Sequence, residues 1–287
     1  MSKFLDDFCK QAQDWGYHIF RVSEIIGEED PQTLEINPAG ACLNCYSVAK
    51  VFTVTAIGML YDKGLLSVDE KIIDIFPEYV SEKTDPRFEK MTVDNVLCHA
   101  CGFTAGMLDI DCYGIHENFG KDFLKYIFET PLCYEPDKGS SYSDAAYYLL
   151  SRVFTKKCGK KMDDYLWEHL FYPLEFQEAA WSRCPHNYPM GATGLYIRSR
   201  DMAKLGVVYM QKGIYRDMRI LSEEWVNITL SKPYELHPVY QTTACNKGGM
   251  FGQQLVVIPS QNRVVAWHAF DQKATKGNLV EWCANYK

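Results

Sequence analysis

Tyr46-Ser47-Val48-Ala49-Lys50-Val51-Phe52-Thr53-Val54-Thr55-Ala56-Ile57-Gly58-Met59-Leu60-Tyr61-Asp62-Lys63 is the stretch on which the reading of this chain turns. It predicts one long helix that is apolar on nearly every face, and such a helix is buried in the middle of a protein. Gly64 stands where it should stop. At its start Ser47 and Lys50 are three residues apart, so a helix places them on one face and carries the ammonium to the hydroxyl. An amine held there can help remove the serine proton or steady a neighbouring base. The backbone N–H groups and positive dipole end of the helix start suit a developing oxyanion. An S-x-x-K string also recurs by chance, as a serine near a helix start with a snorkelling lysine.

Outward from this helix, the chain changes character in both directions. Before it, Phe4, Leu5, Phe8 and Ala12 predict an amphipathic first helix over residues 1–14. Strands follow over Tyr17–Ile26 and Thr33–Ile36, separated by the polar turn Gly27-Glu28-Glu29-Asp30-Pro31. After it, as far as about Pro173, the signals are mostly helical: Val68–Phe76, Thr92–His99, Gly120–Thr130, Ser143–Lys157 and Lys161–Leu170. Helices over Ser199–Lys212 and Ser222–Leu230 come next, then an antiparallel strand pair, Gln253–Ile258 and Arg263–Phe270. Leu279–Tyr286 closes the chain as a last amphipathic helix. Strands at both ends with helices between them predict an α+β fold, its antiparallel sheet built from the two termini and flanked by helices. A mostly helical lobe, about residues 56–179, is inserted into an α/β lobe of about 1–55 and 180–287. The whole reads as one domain over 1–287.

Two further motifs accompany the serine and lysine. Tyr142-Ser143-Asp144 follows the loop Glu135-Pro136-Asp137-Lys138-Gly139-Ser140-Ser141 and precedes a helix. Lys247-Gly248-Gly249-Met250-Phe251-Gly252-Gln253 is glycine-rich and reads as the entry to a strand. With these in order, the chain resembles the serine β-lactamases and penicillin-binding proteins, above all their class C β-lactamase and esterase-like branch. Ser47-Val48-Ala49-Lys50 matches the S-x-x-K motif of that family and Tyr142-Ser143-Asp144 its Y-x-N motif. Leu97-Cys98-His99-Ala100-Cys101-Gly102, residues 62–70 and residues 194–203 are similar to other family segments.

The resemblance implies a β-lactamase/transpeptidase-like fold and a serine hydrolase that passes through an acyl-enzyme. Ser47 would attack a carbonyl, and Lys50 and Tyr142 would share general base and acid work. The oxyanion would lie between the backbone N–H of Ser47 and one from the lysine-glycine strand, that of Met250. Lys247 would bring positive charge near the Tyr142 hydroxyl or a substrate carboxylate. Two departures narrow this. Asp144 replaces the Y-x-N asparagine, and an ionised carboxylate only accepts hydrogen bonds where an amide also donates. Lys247-Gly248-Gly249 lacks the hydroxyl of the usual Lys-Thr/Ser-Gly. Both weaken the case for an efficient β-lactamase. Two other readings keep the family: a penicillin-binding or sensor-type protein that acylates and stalls, and an inert homologue. Ser47, Lys50, Tyr142 and Lys247 together argue against the last, since packing demands no such set.

Composition bounds the remainder. A net charge of −7 argues against binding nucleic acid through phosphates. No run of about 18 apolar residues occurs, so no membrane span is predicted. With no export signal read at the N-terminus and an odd 11 cysteines, the expected address is cytoplasmic and a disulfide framework is not expected. The pairs Cys42/Cys45 and Cys98/Cys101 stand much further apart than the roughly 15–20 residues of a zinc ribbon. Neither a metal nor a cofactor is expected, and the expected partner is a small acyl substrate. Asp109-Ile110-Asp111-Cys112-Tyr113-Gly114 lacks the glutamate a calcium loop needs, because Gly120 takes its place. His99 reads as a structural histidine on a helix. Tyr147, Tyr148, Trp167, Phe171 and Tyr172 read as packing, with Tyr188 and Trp267 as aromatic candidates for a cleft.

Overall fold

The computed structural model describes residues 2–112, 119–232, 234–271 and 276–287; Tyr113 and Gly114 of the rejected calcium loop lie outside them. Its strands are β1 (Ile19–Ile26), β2 (Gln32–Glu35), β3 (Leu43–Asn44), β4 (Ala180–Trp181), β5 (Leu195–Ile197), β6 (Ile214–Tyr215), β7 (Met218–Arg219), β8 (His237–Pro238), β9 (Cys245–Gly249), β10 (Gln253–Ile258) and β11 (Arg263–Ala269). The fold divides into two compact units: Met1–Val51, Glu168–Ala180 and Leu195–Lys287 form the first, Phe52–Trp167 and Trp181–Gly194 the second.

The first unit is built on a six-stranded sheet in the order β2-β1-β11-β10-β9-β8. Each neighbouring pair is antiparallel, so strands from both ends of the chain make one sheet. On one face the helix Lys3–Trp15 buries Phe4, Leu5, Phe8 and Ala12, and the helix Leu279–Ala284 buries Leu279, Val280 and Cys283. Both pack on Val22, Val256, Val265 and Trp267. Each large apolar side chain so covered contributes about 1.5–3 kcal/mol. Trp267, 1% exposed and 5.2 Å from the ring of Phe8, is therefore core and not a cleft residue. The helix Ser199–Met210 covers the opposite face, where a Cβ on Gly206 would meet Val264 at 2.4 Å, so only glycine allows that approach.

The second unit is helical, with Ile72–Ile75, Val93–Leu97, Phe123–Glu129, Asp144–Cys158 and Met162–Leu166. The helix Asp144–Cys158 is buried from Asp144 to Phe154 and ends at Gly159 in the left-handed region. The helix Ala49–Asp62 enters this unit at Phe52.

Several expectations are corrected. The two units divide after Val51, and around residue 180 the chain passes between them more than once. Lys204 donates to the Glu175 carbonyl and ties Glu168–Ala180 to the first unit. Bonds from Trp181 to the Thr193 carbonyl and from Ser151 to that of Pro189 tie Trp181–Gly194 to the second. The long helix does not begin at Tyr46: Tyr46–Val48 is a 3₁₀ turn and the α-helix starts at Ala49. Val68–Phe76 shrinks to Ile72–Ile75, because the carbonyls of Val68 and Glu70 accept from the N–H groups of Asp94 and Val93 and not from a following helical turn. Lys247-Gly248-Gly249 precedes the strand β10 as expected, but it is not only an approach to that strand: it lies within a strand of its own, β9. Nothing local marks Cys-Asn-Lys-Gly-Gly as a strand, and pairing with β10 makes it one. Trp167 and Tyr172, expected in the packing, are exposed at the surface.

Candidate active site

Ser47 sits on the turn that follows β3. That turn is held by the Cys45 N–H, which donates to the Leu195 carbonyl at 2.9 Å, and by the Tyr46 N–H, which donates to the Asn44 side chain at 2.9 Å. Tyr46 has φ +48, a left-handed conformation uncommon for a non-glycine residue. It lies in the 3₁₀ turn that carries Ser47 and leads into the buried helix Ala49–Asp62. Lys50, with no exposed surface, donates from Nζ to Ser47 Oγ at 3.2 Å. The predicted serine–lysine pair is formed.

Strand β9 runs beside this turn. A Cβ on Gly249 would come within 2.5 Å of the Cys45 carbonyl and 3.2 Å of the Ser47 nitrogen. Glycine is therefore what lets the strand approach Ser47. Met250 then opens a short 3₁₀ turn in which Phe251 has φ +59. The buried Gln253 side chain holds that turn, donating to the carbonyls of Met250 at 3.1 Å and Ala269 at 2.7 Å while accepting from the Ala269 N–H at 3.1 Å. Beneath it His268, 1% exposed, lies 3.0 Å from Gln253 Oε1 and 3.0 Å from the Ile197 carbonyl. Burial pushes this imidazole down to about 4, against the Ile197 carbonyl, which favours the proton.

Lys247, two residues before Gly249, shares its face of β9. Its ammonium forms an ion pair with Glu235, whose side chain is 1% exposed. Glu235 also has a left-handed φ, +65. Sequence reasoning missed Glu235 and His268. One lies in an irregular segment with no motif, and the other is a polar residue inside an apolar strand run.

Tyr142 and Asp144 belong to the second unit. Tyr142 is 46% exposed and its ring lies 4.5 Å from that of His99. His99 follows the helix Val93–Leu97, with φ +54, and is not on it as expected. Its carbonyl accepts from the Ser141 N–H at 3.0 Å and its Nδ1 from that of Ser143 at 3.4 Å, so it fixes the loop that carries Tyr142. Asp144 is 6% exposed at the start of the helix Asp144–Cys158. Carboxylate oxygens of Asp109, Asp111 and Asp144 lie within 4.8 Å of one another, a grouping invisible in the linear motif. Thr193 Oγ1 donates to Asp111 at 2.6 Å. Tyr188 packs under the Arg152 guanidinium at 3.7 Å from its ring centroid.

The family model described as Beta-lactamase matches residues 38–280. The chain belongs to the beta-lactamase family. Among curated relatives it is similar to penicillin-binding protein 4 of Amycolatopsis lactamdurans, 29% identical over 46% of this chain and 34% of that protein. It is also similar to the lovastatin esterase of Penicillium rubens, 25% identical over 62% of this chain and 46% of that one. The chain thus spans less than half the length of these two relatives. Among solved structures, the octameric penicillin-binding protein homologue from Pyrococcus abyssi superposes with a TM-score of 0.69 at 17% identity, covering 98% of this chain and 75% of that one. The shared fold is that of β-lactamases and penicillin-binding proteins. No helix among the described residues is long and apolar enough to cross a membrane.

Proposed function

We propose that this member of the beta-lactamase family is a serine hydrolase that works through an acyl-enzyme. The observation that carries the reading is the hydrogen bond from buried Lys50 to Ser47 Oγ. Ser47 Oγ attacks the carbonyl carbon of an ester or amide, a β-lactam among them, and its proton passes to Lys50 or Tyr142 acting as base. The developing oxyanion is held by the N–H groups of Ser47 and Met250, a stabilisation that supplies several kcal/mol in such sites. The proton returns to the leaving group as the carbonyl re-forms, and water releases the acyl group by the reverse path. Lys247, Gly248, Gly249 and Asp144 shape the substrate side.

Relatives named as an esterase, an amidase and a carboxypeptidase support hydrolysis of an acyl bond in preference to simple binding. The eleven cysteines are all free thiols, which suits a reducing compartment and supports a cytoplasmic address.

A fluorophosphonate probe should label the wild-type protein and not Ser47→Ala, and equal labelling of the two would sink the nucleophile assignment. Intact-protein mass spectrometry with a panel of β-lactams and p-nitrophenyl esters then separates turnover from a trapped acyl-enzyme and from no reaction. A trapped adduct would replace the hydrolase with the sensor-type reading.

A further inference from the structure

We infer that the substrate's acyl side is uncharged and aromatic or broadly apolar, an inference that rests on the serine-hydrolase reading above. Two independent features of the first unit carry it.

The first is charge. Lys247 lies on the face of β9 that Gly249 turns toward Ser47, about 7 Å along the strand from that contact. A free ammonium there would draw a substrate carboxylate. Instead it is paired with Glu235, and His237 Nε2 stands 3.9 Å from the same carboxylate oxygen. Both partners of the lysine pair are buried, the lysine side chain 6% exposed and the glutamate 1%. Glu235 holds its place in a left-handed conformation, which non-glycine residues adopt only where the surrounding structure compels it. The pair is close to neutral, and an incoming carboxylate would have to compete with a buried one already in place.

The second feature is an aromatic surface. Tyr46, immediately before the nucleophile, meets Phe251 edge-on at 5.3 Å, and Phe251 stacks on Phe270 at 4.8 Å. Phe270 is 46% exposed. Tyr46 and Phe251 are both held at positive φ, +48 and +59, so the two turns that meet at Ser47 are each strained in presenting a ring. This aromatic row, half-buried at Tyr46 and Phe251 and exposed at Phe270, starts one residue from Ser47 and is suited to a flat apolar group by stacking and area burial.

The test compares p-nitrophenyl phenylacetate with its 4-carboxy analogue on the purified chain, with fluorophosphonate labelling of Ser47 run in parallel. Wild type should favour the neutral ester in kcat/KM by about 10-fold or more. Phe270→Ala, a surface change, should lower kcat/KM for the phenylacetate several-fold more than for p-nitrophenyl acetate. Glu235→Gln, which releases the charge of Lys247, should narrow the gap between the two phenylacetates. Wild type turning over both at equal rates, or a Phe270→Ala variant that slows all neutral esters alike, overturns the substrate assignment while labelled Ser47 leaves the hydrolase standing. No label and no turnover removes both.

Discussion

A methyl group on Gly249 would stand 3.2 Å from the backbone nitrogen of Ser47 and 2.5 Å from the carbonyl of Cys45. The strand that carries the lysine-glycine motif is pressed against the turn that carries Ser47. Gly249→Ala must therefore push the two apart and move Met250 away from Ser47. We expect the variant to remain folded, with a stability loss of about 1–3 kcal/mol from overpacking. Its kcat should fall about 10²-fold or more, the loss seen when one oxyanion donor is removed. Near wild-type kcat in a folded Gly249→Ala protein would show that β9 plays no part in the chemistry.

Lys50 is fully buried and donates to Ser47 Oγ. Methionine fills a similar volume without the amine. Lys50→Met should keep a cooperative thermal transition and lower kcat for ester hydrolysis by about 10²–10⁴-fold, the range for removing a general base. Because the defect lies in the chemical step, fluorophosphonate labelling should slow in parallel. A variant that unfolds on substitution would assign the lysine to packing instead.

His268 has its pKa depressed from 6.5 to about 4 by burial. The folded protein therefore keeps the ring neutral in a range where the unfolded chain is protonated. Its contribution to stability is complete above pH 6.5 and is lost as pH falls from there toward 4, amounting to about 3 kcal/mol across that window. Urea unfolding at pH 7, 5.5 and 4.5 should show this decline, and His268→Gln should flatten it. Equal slopes for the two proteins would assign the acid sensitivity to other groups.

The hydrophobic run Val51–Leu60, the largely apolar run Arg263–Ala269, buried at every position after the first, and the apolar stripe of Lys3–Trp15 were legible because such patterns lie in neighbouring residues. The Ser47–Lys50 pair was legible for the same reason, since three-residue spacing on a helix is a local property. Strand β9 was not. Its glycines carry no strand preference, and only the partner strand supplies its register, Gly249 opposite Gln253 and Lys247 opposite Leu255. Nor was the left-handed φ of Tyr46 and Phe251, which non-glycine residues adopt only where surrounding structure compels it.

The amino-acid sequence by itself determined the α+β class, the antiparallel sheet drawn from both chain ends, and the candidate nucleophile with its lysine. Each rests on patterns that a few consecutive residues carry. Tertiary structure decided what surrounds them: the partner that neutralises Lys247, the close approach of Gly249 to Ser47, and the gathering of Asp109 and Asp111 around Asp144. The physical reason is range. Helix faces and strand alternation follow from backbone geometry over a few residues. Charge compensation and close packing depend on which distant segments the folded chain brings within a few ångströms.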